Sequence, residues 1–478
     1  MATKKDLVEA YSFSRRRLVT AFLSGAPGGR EVEPSRPGRT VVGGLALAIL
    51  LIAGAAIASV LASRSPEDWN QIGLVVTRGD QPATYVILEE AESPTLIPVI
   101  NITSAQLILG ADIKATSVDQ QVVDEQTPGI PIGILGAPQT LPRPNNFINT
   151  GWTACTDDRV GIKLDVSDEQ RVVTTQTAAI VVENADQYWL IATSSVKDSN
   201  RRAYRYPISP DEQDQLLLGF GLDQKSEAIS VPDKWLALFP EGGEIGPGGF
   251  NVAGFGKKLA DGPPGARVGD YAVDDSGQAG MFSREGVQPL DEFSLAVLVN
   301  SNHAKGQPVE LDADLPAEFD DITYDTSMWP TTAVEPLNSP PCARLDMDHE
   351  HVPYVALAGS PQGAAVSPDA DSEDPIPFDE RRISVDRGHG AFVMSGTWSQ
   401  TESDATYVID PLGKAYALVG GPITLEKLEY DKEEAPLVPD EWVGLFDVGV
   451  ALSTSAALCP PATQLGEPRS PETCQDPP

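Results

Sequence analysis

The longest apolar run, TVVGGLALAILLIAGAAIASVLA at positions 40–62, contains no charged residue. At 1.5 Å per residue a helix of that length crosses the hydrocarbon of a bilayer, so the run predicts a transmembrane helix. Its VLA ending resembles a signal-peptide cleavage site, yet the apolar core is longer than such a peptide uses and 39 residues precede it. An uncleaved anchor is expected, and Gly43, Gly44 and Gly54 permit close helix packing along it. Before the run, KKDLVEAYSFSRRRLVTAFLSG reads as a helix with Leu7, Tyr11, Leu18 and Phe22 near one side and three arginines on another. It suits either an anionic lipid surface or a cytoplasmic partner, with Tyr11, Phe13, Arg15, Arg16 and Arg17 as the candidate docking residues.

After the run the pattern changes to short alternating strands and short helices. ATYVI occurs at 83–87 and again at 405–409, where Tyr85 and Tyr407 alternate with β-branched residues as in a strand. VPDKWLALF at 231–239 returns as VPDEWVGLF at 438–446. In each copy Pro precedes an Asp placed to cap a helix, and Trp235, Leu238 and Phe239, like Trp442, Leu445 and Phe446, fall at i, i+3 and i+4 on one helix face. They are expected as core anchors. Similar strand–turn–strand patterns surround Tyr271 and QYWLIATSSVKDSNRRAYRYPI, and helical stretches such as NITSAQLILG and DEFSLAVLV follow.

Four copies of one unit are therefore expected, near 75–110, 185–242, 268–302 and 403–452. The fold class is a single N-terminal transmembrane helix followed by an elongated, β-rich α+β extracytoplasmic region, with four repeat domains around a central disulfide-stapled core domain. The expected boundaries are a basic amphipathic segment 1–39, the span 40–62, a first repeat domain at 63–111, the first central segment at 112–184, a second repeat domain at 185–242, a third at 243–302, the second central segment at 303–402, a fourth repeat domain at 403–458 and a Pro-rich tail 459–478.

Charge orients this arrangement. Residues 1–39 hold eight basic and four acidic residues, whereas everything after 62 holds 26 basic and 65 acidic. The positive-inside tendency puts the N-terminus in the cytoplasm and the acidic region outside. A net charge of −35 repels a phosphate backbone, which excludes nucleic acid as a partner. Cys155, Cys342, Cys459 and Cys474 all lie beyond the span, an even count that suits an oxidising compartment. Of three pairings, the economical one joins Cys155 to Cys342 and Cys459 to Cys474.

Motifs for chemistry are sparse. PGGFNVAGFGKKL spaces Gly249 and Gly254 like a phosphate loop, but Phe255 stands where Lys is needed, and Lys258 follows Gly256-Lys257 where a hydroxyl is needed. In DMDHEHVP, His349 and His351 would share a strand face beside Asp346, Asp348 and Glu350, a weak metal-ligand pattern without a third His. His303 and His389 are isolated. No cofactor is expected, and catalysis is left undecided, leaning against an enzyme.

Several stretches resemble the EccB component of type VII (ESX) secretion systems of actinobacteria: AYSFSRRRLVTAF before the span, TYVI and LIPVINITSAQLILG after it, PGIPIGILGAPQTLP, and WTAC at 152–155. The resemblance covers nearly the whole chain. It implies a structural core subunit of a secretion complex, assembled with the FtsK-like ATPase EccC, with EccD and EccE, and with other EccB copies. It also implies a single-pass protein of the inner membrane. Some family members carry an ATPase label, so a nucleotide-hydrolysing ectodomain is one alternative; a cell-wall-binding module is the other.

Overall fold

The structure, a computed structural model, describes residues 3–24, 37–62, 65–78, 82–194, 202–222, 228–301, 308–309, 329–348, 351–361, 366–368, 374–400 and 402–461. The chain divides into two compact units, Met1–Ser65 and Pro66–Pro478.

The first unit holds two helices, Lys4–Ser24 (α1) and Pro37–Ala62 (α2). On α1 the side chains of Leu7, Tyr11, Leu18 and Phe22 are all exposed, and so is Phe13, which the 100° step per residue sets on a different side. The backbone of α2 is helical for 26 residues, with no charged residue after Arg39. Among the described residues no helix is long and apolar enough to cross a membrane; in α2 the described side chains stop at Val42 and 44–55.

The second unit opens with strands Gly73–Arg78 (β1), Thr84–Ile87 (β2) and Ile97–Pro98 (β3), an antiparallel meander. Helix Ile102–Leu109 (α3) follows, and Ala115–Asp119 (β4) returns parallel to β1 before the one-turn helix Gln120–Asp124 (α4). The sheet order is β3-β2-β1-β4. Three short strands come next: Thr153–Cys155 (β5), Ile162–Val166 (β6) and Val173–Thr174 (β7).

The first pattern then recurs. Ala178–Asn184 (β8), Gln187–Thr193 (β9) and Ala203–Pro207 (β10) form a meander, helix Gln213–Gly219 (α5) follows, and Ile229–Ser230 (β11) returns parallel to β8 ahead of Asp233–Leu236 (α6). Tyr271–Val273 (β12), Ala279–Ser283 (β13), Gly286–Leu290 (β14) and helix Glu292–Val299 (α7) repeat it, with Val309 bridging Ala272 in parallel.

The chain next adds Glu335–Pro336 (β15) beside β8 and lays down Pro341–Met347 (β16), Pro353–Gly359 (β17) and Arg381–Val385 (β18). A last meander, Ala391–Gly396 (β19), Thr406–Ile409 (β20) and Lys414–Leu418 (β21), leads to helix Pro422–Leu428 (α8). Leu437–Pro439 (β22) returns parallel to β19, followed by Asp440–Val443 (α9), an edge strand Asp447–Val448 (β23) on β21, and Thr454–Ala457 (α10).

Local chemistry starts these elements. Asn101 and Asp291 cap α3 and α7, their side-chain oxygens accepting from Ser104 N at 2.8 Å and Ser294 N at 2.7 Å. Asp274 and Asp410 each accept from two backbone N–H groups in the hairpin turns after β12 and β20. Those turns close at Gly277 and Gly413, whose φ values of 86° and 80° favour glycine.

Between the recurring sheets lies one built from both halves of the unit, in the order β18-β6-β5-β16-β17-β7. Cys155 and Cys342 face each other across β5 and β16 and are disulfide-bonded, closing a separation of 187 residues. Cys459 is also disulfide-bonded; its expected partner, Cys474, lies outside the described residues.

Four of these strands fall across the sequence boundaries. β4, β8, β15 and β19 sit in segments expected to be central, yet each pairs into a flanking sheet. β4 and β8 lack the aromatic mark of the neighbouring strands, and β4 pairs Ala115 with Leu74 far back along the chain, which local patterning does not reveal.

Candidate functional site

The central sheet has two unlike faces, because successive side chains of a strand point to opposite sides. On one face Ala154, Leu164, Ala343 and Leu357 lie side by side in register and share a core with both VPD segments. Trp235, Leu238, Phe239, Trp442, Leu445 and Phe446 are each at most 1% exposed. Phe446 meets Trp152 edge-on at 5.2 Å, and Trp235 packs against Phe239 at the same distance. The Trp235 indole N–H donates to the Ala154 carbonyl at 2.8 Å, tying α6 to β5. Tyr85 and Tyr407 are half-buried, Tyr85 against the core of the first sheet and Tyr407 against the central core.

The aspartates of the two VPD segments act differently from the expected caps. Pro232 and Pro439 occupy the cap positions, and Asp233 and Asp440 begin the helices. Each carboxylate accepts from the end of the first strand of its own sheet: Asp233 from Asn184 Nδ2 at 2.6 Å, Asp440 from the Ser395 hydroxyl. Standing one residue past the cap, each carboxylate makes no capping bond and bonds sideways instead.

The opposite face carries a polar row, Asp165, Thr153 and Arg344, contributed by β6, β5 and β16 in register. Thr153 and Arg344 of this row floor a half-open cleft of about 280 Å³ walled by the loops 147–151 and 167–172. Arg171 bonds Asp165 at 3.1 Å, Glu169 at 3.2 Å and Asp386 at 3.3 Å. Arg344 pairs with Asp346 at 3.1 Å, and Asp346 also accepts from Thr150 at 3.0 Å. Burial pushes the Asp165 carboxyl above the usual range, against the pull of Arg171 beside it. The Nε of Arg344 is buried with no partner among the described residues.

The other sequence candidates are not brought to this cleft. In the glycine-rich string, Gly256 N donates to Val268 O at 2.8 Å and Lys257 N to Gly254 O at 3.0 Å, while Lys258 pairs with Arg267 in an antiparallel bridge. A phosphate loop needs such amides unpaired and its Lys at the start of a helix; here the Gly256 amide is paired across to Val268, the Lys257 amide closes a turn, and Lys258 stands in a bridge. His351 lies in the β16–β17 hairpin turn at a φ of 62°, not on a strand face, because Asp348 accepts from Val352 N at 2.8 Å and tightens the turn. His349 and Glu350 lie outside the described residues, as does His303. His389 sits in the turn between β18 and β19, its Nδ1 3.1 Å from the Arg387 carbonyl. Among the described residues no cluster of three metal-ligating side chains occurs.

Sequence reasoning misses the cleft, since no single stretch carries it. A family model described as "Type VII secretion system ESX-1, transport TM domain B" matches residues 1–462. The Mycobacterium tuberculosis (strain ATCC 25618 / H37Rv) protein named ESX-3 secretion system ATPase EccB3 is 26% identical over 482 residues, covering 89% of this chain and 84% of the relative. A chain in the structure of an intact ESX-5 inner membrane complex has a TM-score of 0.61 at 20% identity, covering 98% of both chains. A chain of the EccB3 dimer from the ESX-3 core complex scores 0.58 at 20% identity, over 80% of this chain and 99% of that one. The family model spans all but the last residues, and the fold agrees with these structures, so the chain belongs to the EccB family of type VII secretion components.

Proposed function

We propose that this protein is a structural core subunit of a type VII secretion complex in the inner membrane, its large unit scaffolding the assembly on the envelope side. The observation that carries the reading is mechanical. Two equivalent turns from different sheets are buried against one sheet, and that sheet is stapled by a disulfide suited to an oxidising compartment. Four repeats of the meander–helix–strand unit around this sheet form an elongated body, supported by the two outer cores, one shared by the second and third sheets and one by the first and fourth.

In this reading α2 crosses the bilayer once, supported by its 26-residue helix and by the charge asymmetry on either side. α1 lies on the cytoplasmic side, where Tyr11, Phe13, Arg15, Arg16 and Arg17 offer apolar and cationic contacts to EccC, EccD or EccE. The large unit associates with further copies of the chain, and Cys459 pairs with Cys474.

The test is purification of the full-length, C-terminally tagged protein from its native membrane in mild detergent, with mass spectrometry of what accompanies it. An FtsK-like ATPase and a multi-span partner in one large complex are expected. Recovery of the chain alone would overturn the scaffold role.

A further inference from the structure

Along α1 the exposed apolar residues form a stripe. Leu7, Tyr11, Leu18 and Phe22 are 68%, 74%, 63% and 89% exposed. At 100° per residue these four fall within an arc of roughly 60°, and Val8 and Val19, also exposed, widen the stripe on one flank. Such a face gains free energy when something apolar covers it.

The charges on the helix say what fits there. Lys4 and Arg15 stand on the same half of α1 as the stripe, whereas both acids, Asp6 and Glu9, fall on the opposite half with Phe13 between them. Asp6 is engaged at the helix start, its carboxylate accepting from the Thr3 N–H at 2.9 Å and the Thr3 hydroxyl at 2.7 Å. The apolar half therefore carries cations and no anion, which complements a surface that is apolar beneath and anionic on top, such as a leaflet containing acidic phospholipid. The charges on the other half keep the helix out of the hydrocarbon and in the plane of the interface. Only positions 25–36 separate Ser24 from Pro37, the first residue of α2. Fully extended they reach roughly 40 Å, so with α2 in the bilayer α1 stays close to its surface.

We propose that α1 rests flat on the anionic cytoplasmic leaflet beside the chain's own span. Leu7, Tyr11, Leu18 and Phe22 enter the acyl boundary, Lys4 and Arg15 snorkel to lipid phosphates, and Phe13 faces away, leaving it and Arg17 to a protein neighbour. The inference rests on the single-span reading of α2 and divides the α1 residues named there between lipid and protein.

The full-length chain is reconstituted into vesicles of phosphatidylcholine alone or of an equal mixture with phosphatidylglycerol, carrying a nitroxide label on Leu18→Cys or, separately, on Phe13→Cys. Among the described residues every native cysteine is disulfide-bonded, so the label goes to the introduced thiol. In the mixed vesicles the label at 18 should be relaxed mainly by oxygen, and the label at 13 mainly by a water-soluble nickel chelate. The bound-to-free ratio of α1 should fall in phosphatidylcholine alone, and by roughly fivefold in the mixed vesicles when Arg15→Gln is added. Both labels in water, in a chain that resists carbonate extraction, would overturn this proposal alone and leave the stripe to a protein neighbour. Release of the chain by carbonate would overturn the span together with it. Equal lipid depth at both positions, or equal binding to the two kinds of vesicle, would overturn it as well.

Discussion

Three one-turn helices follow a returning parallel strand, and they differ in what they face. α6 and α9 point Trp, Leu and Phe into the central core. Counted from its own cap at Asp119, α4 has Val122, Glu125 and Gln126 at the same positions. Val122 is half-buried against the small core of its own sheet and Glu125 is exposed. The turn itself therefore does not require the aromatic residues. Large side chains stand only where the turn docks on a second sheet, because only there is enough apolar area removed from water to offset ordering them. The repeated nonamer is thus the mark of docking twice on one platform.

The platform can be removed first. A double Cys155→Ala, Cys342→Ala variant opens a loop of 187 residues, and chain-entropy reasoning puts the loss at about 5 kcal/mol. Hydrogen exchange should then show 233–239 and 440–446 losing protection together, with 120–126 changed far less. Protection lost at only one of the two copies would break the idea of a common platform.

Truncating the anchors is the next largest step. Trp442→Ala and Trp235→Ala should each cost about 3–5 kcal/mol, as buried aromatics do, against about 1 kcal/mol for Val122→Ala. Denaturant midpoints compare them within the one protein. Similar losses at all three sites would mean that the first turn is anchored as firmly as the others.

A subtler substitution separates the two docked copies. The Trp235 indole N–H bonds Ala154 O, whereas the Trp442 indole N–H is buried without a partner among the described residues. Trp235→Phe should accordingly cost about 1 kcal/mol more than Trp442→Phe. Equal costs would show that this hydrogen bond adds nothing beyond packing.

What can be read in the sequence follows the same division. The nonamers, the ATYVI strands and the capped helices at Asn101 and Asp291 are local, so caps, turns and periodicity identify them. The third copy of the turn escapes such reading because Val122 and Gln126 replace its aromatic letters. The capping residue of each VPD turn lies one position before the expected aspartate, since whether Pro or Asp closes the helix depends on Asn184 and Ser395, partners brought in by a distant strand. The cleft is invisible for a similar reason: Thr153 comes from one half of the unit and Arg344 from the other, and only strand register aligns them.

The smallest effect tests the polar face against the docking face. Burial raises the Asp165 carboxyl, with Arg171, Asp386 and Ser384 around it. The native state therefore holds this proton more tightly than the unfolded chain does, so the contribution of Asp165 is fully present below the ordinary carboxylate range and is lost as pH rises through its raised native value. Asp165→Asn removes that titration while keeping the shape. Between about pH 3 and 7 the variant should gain stability relative to the parent as pH rises, read from urea midpoints. Exchange at 233–239 and 440–446 should stay unchanged, because those turns lie across the sheet. A parent that instead gained on the variant with rising pH would mean that the attraction of Arg171 outweighs the cost of burying the charge, and that the polar row is held together by its ion pairs.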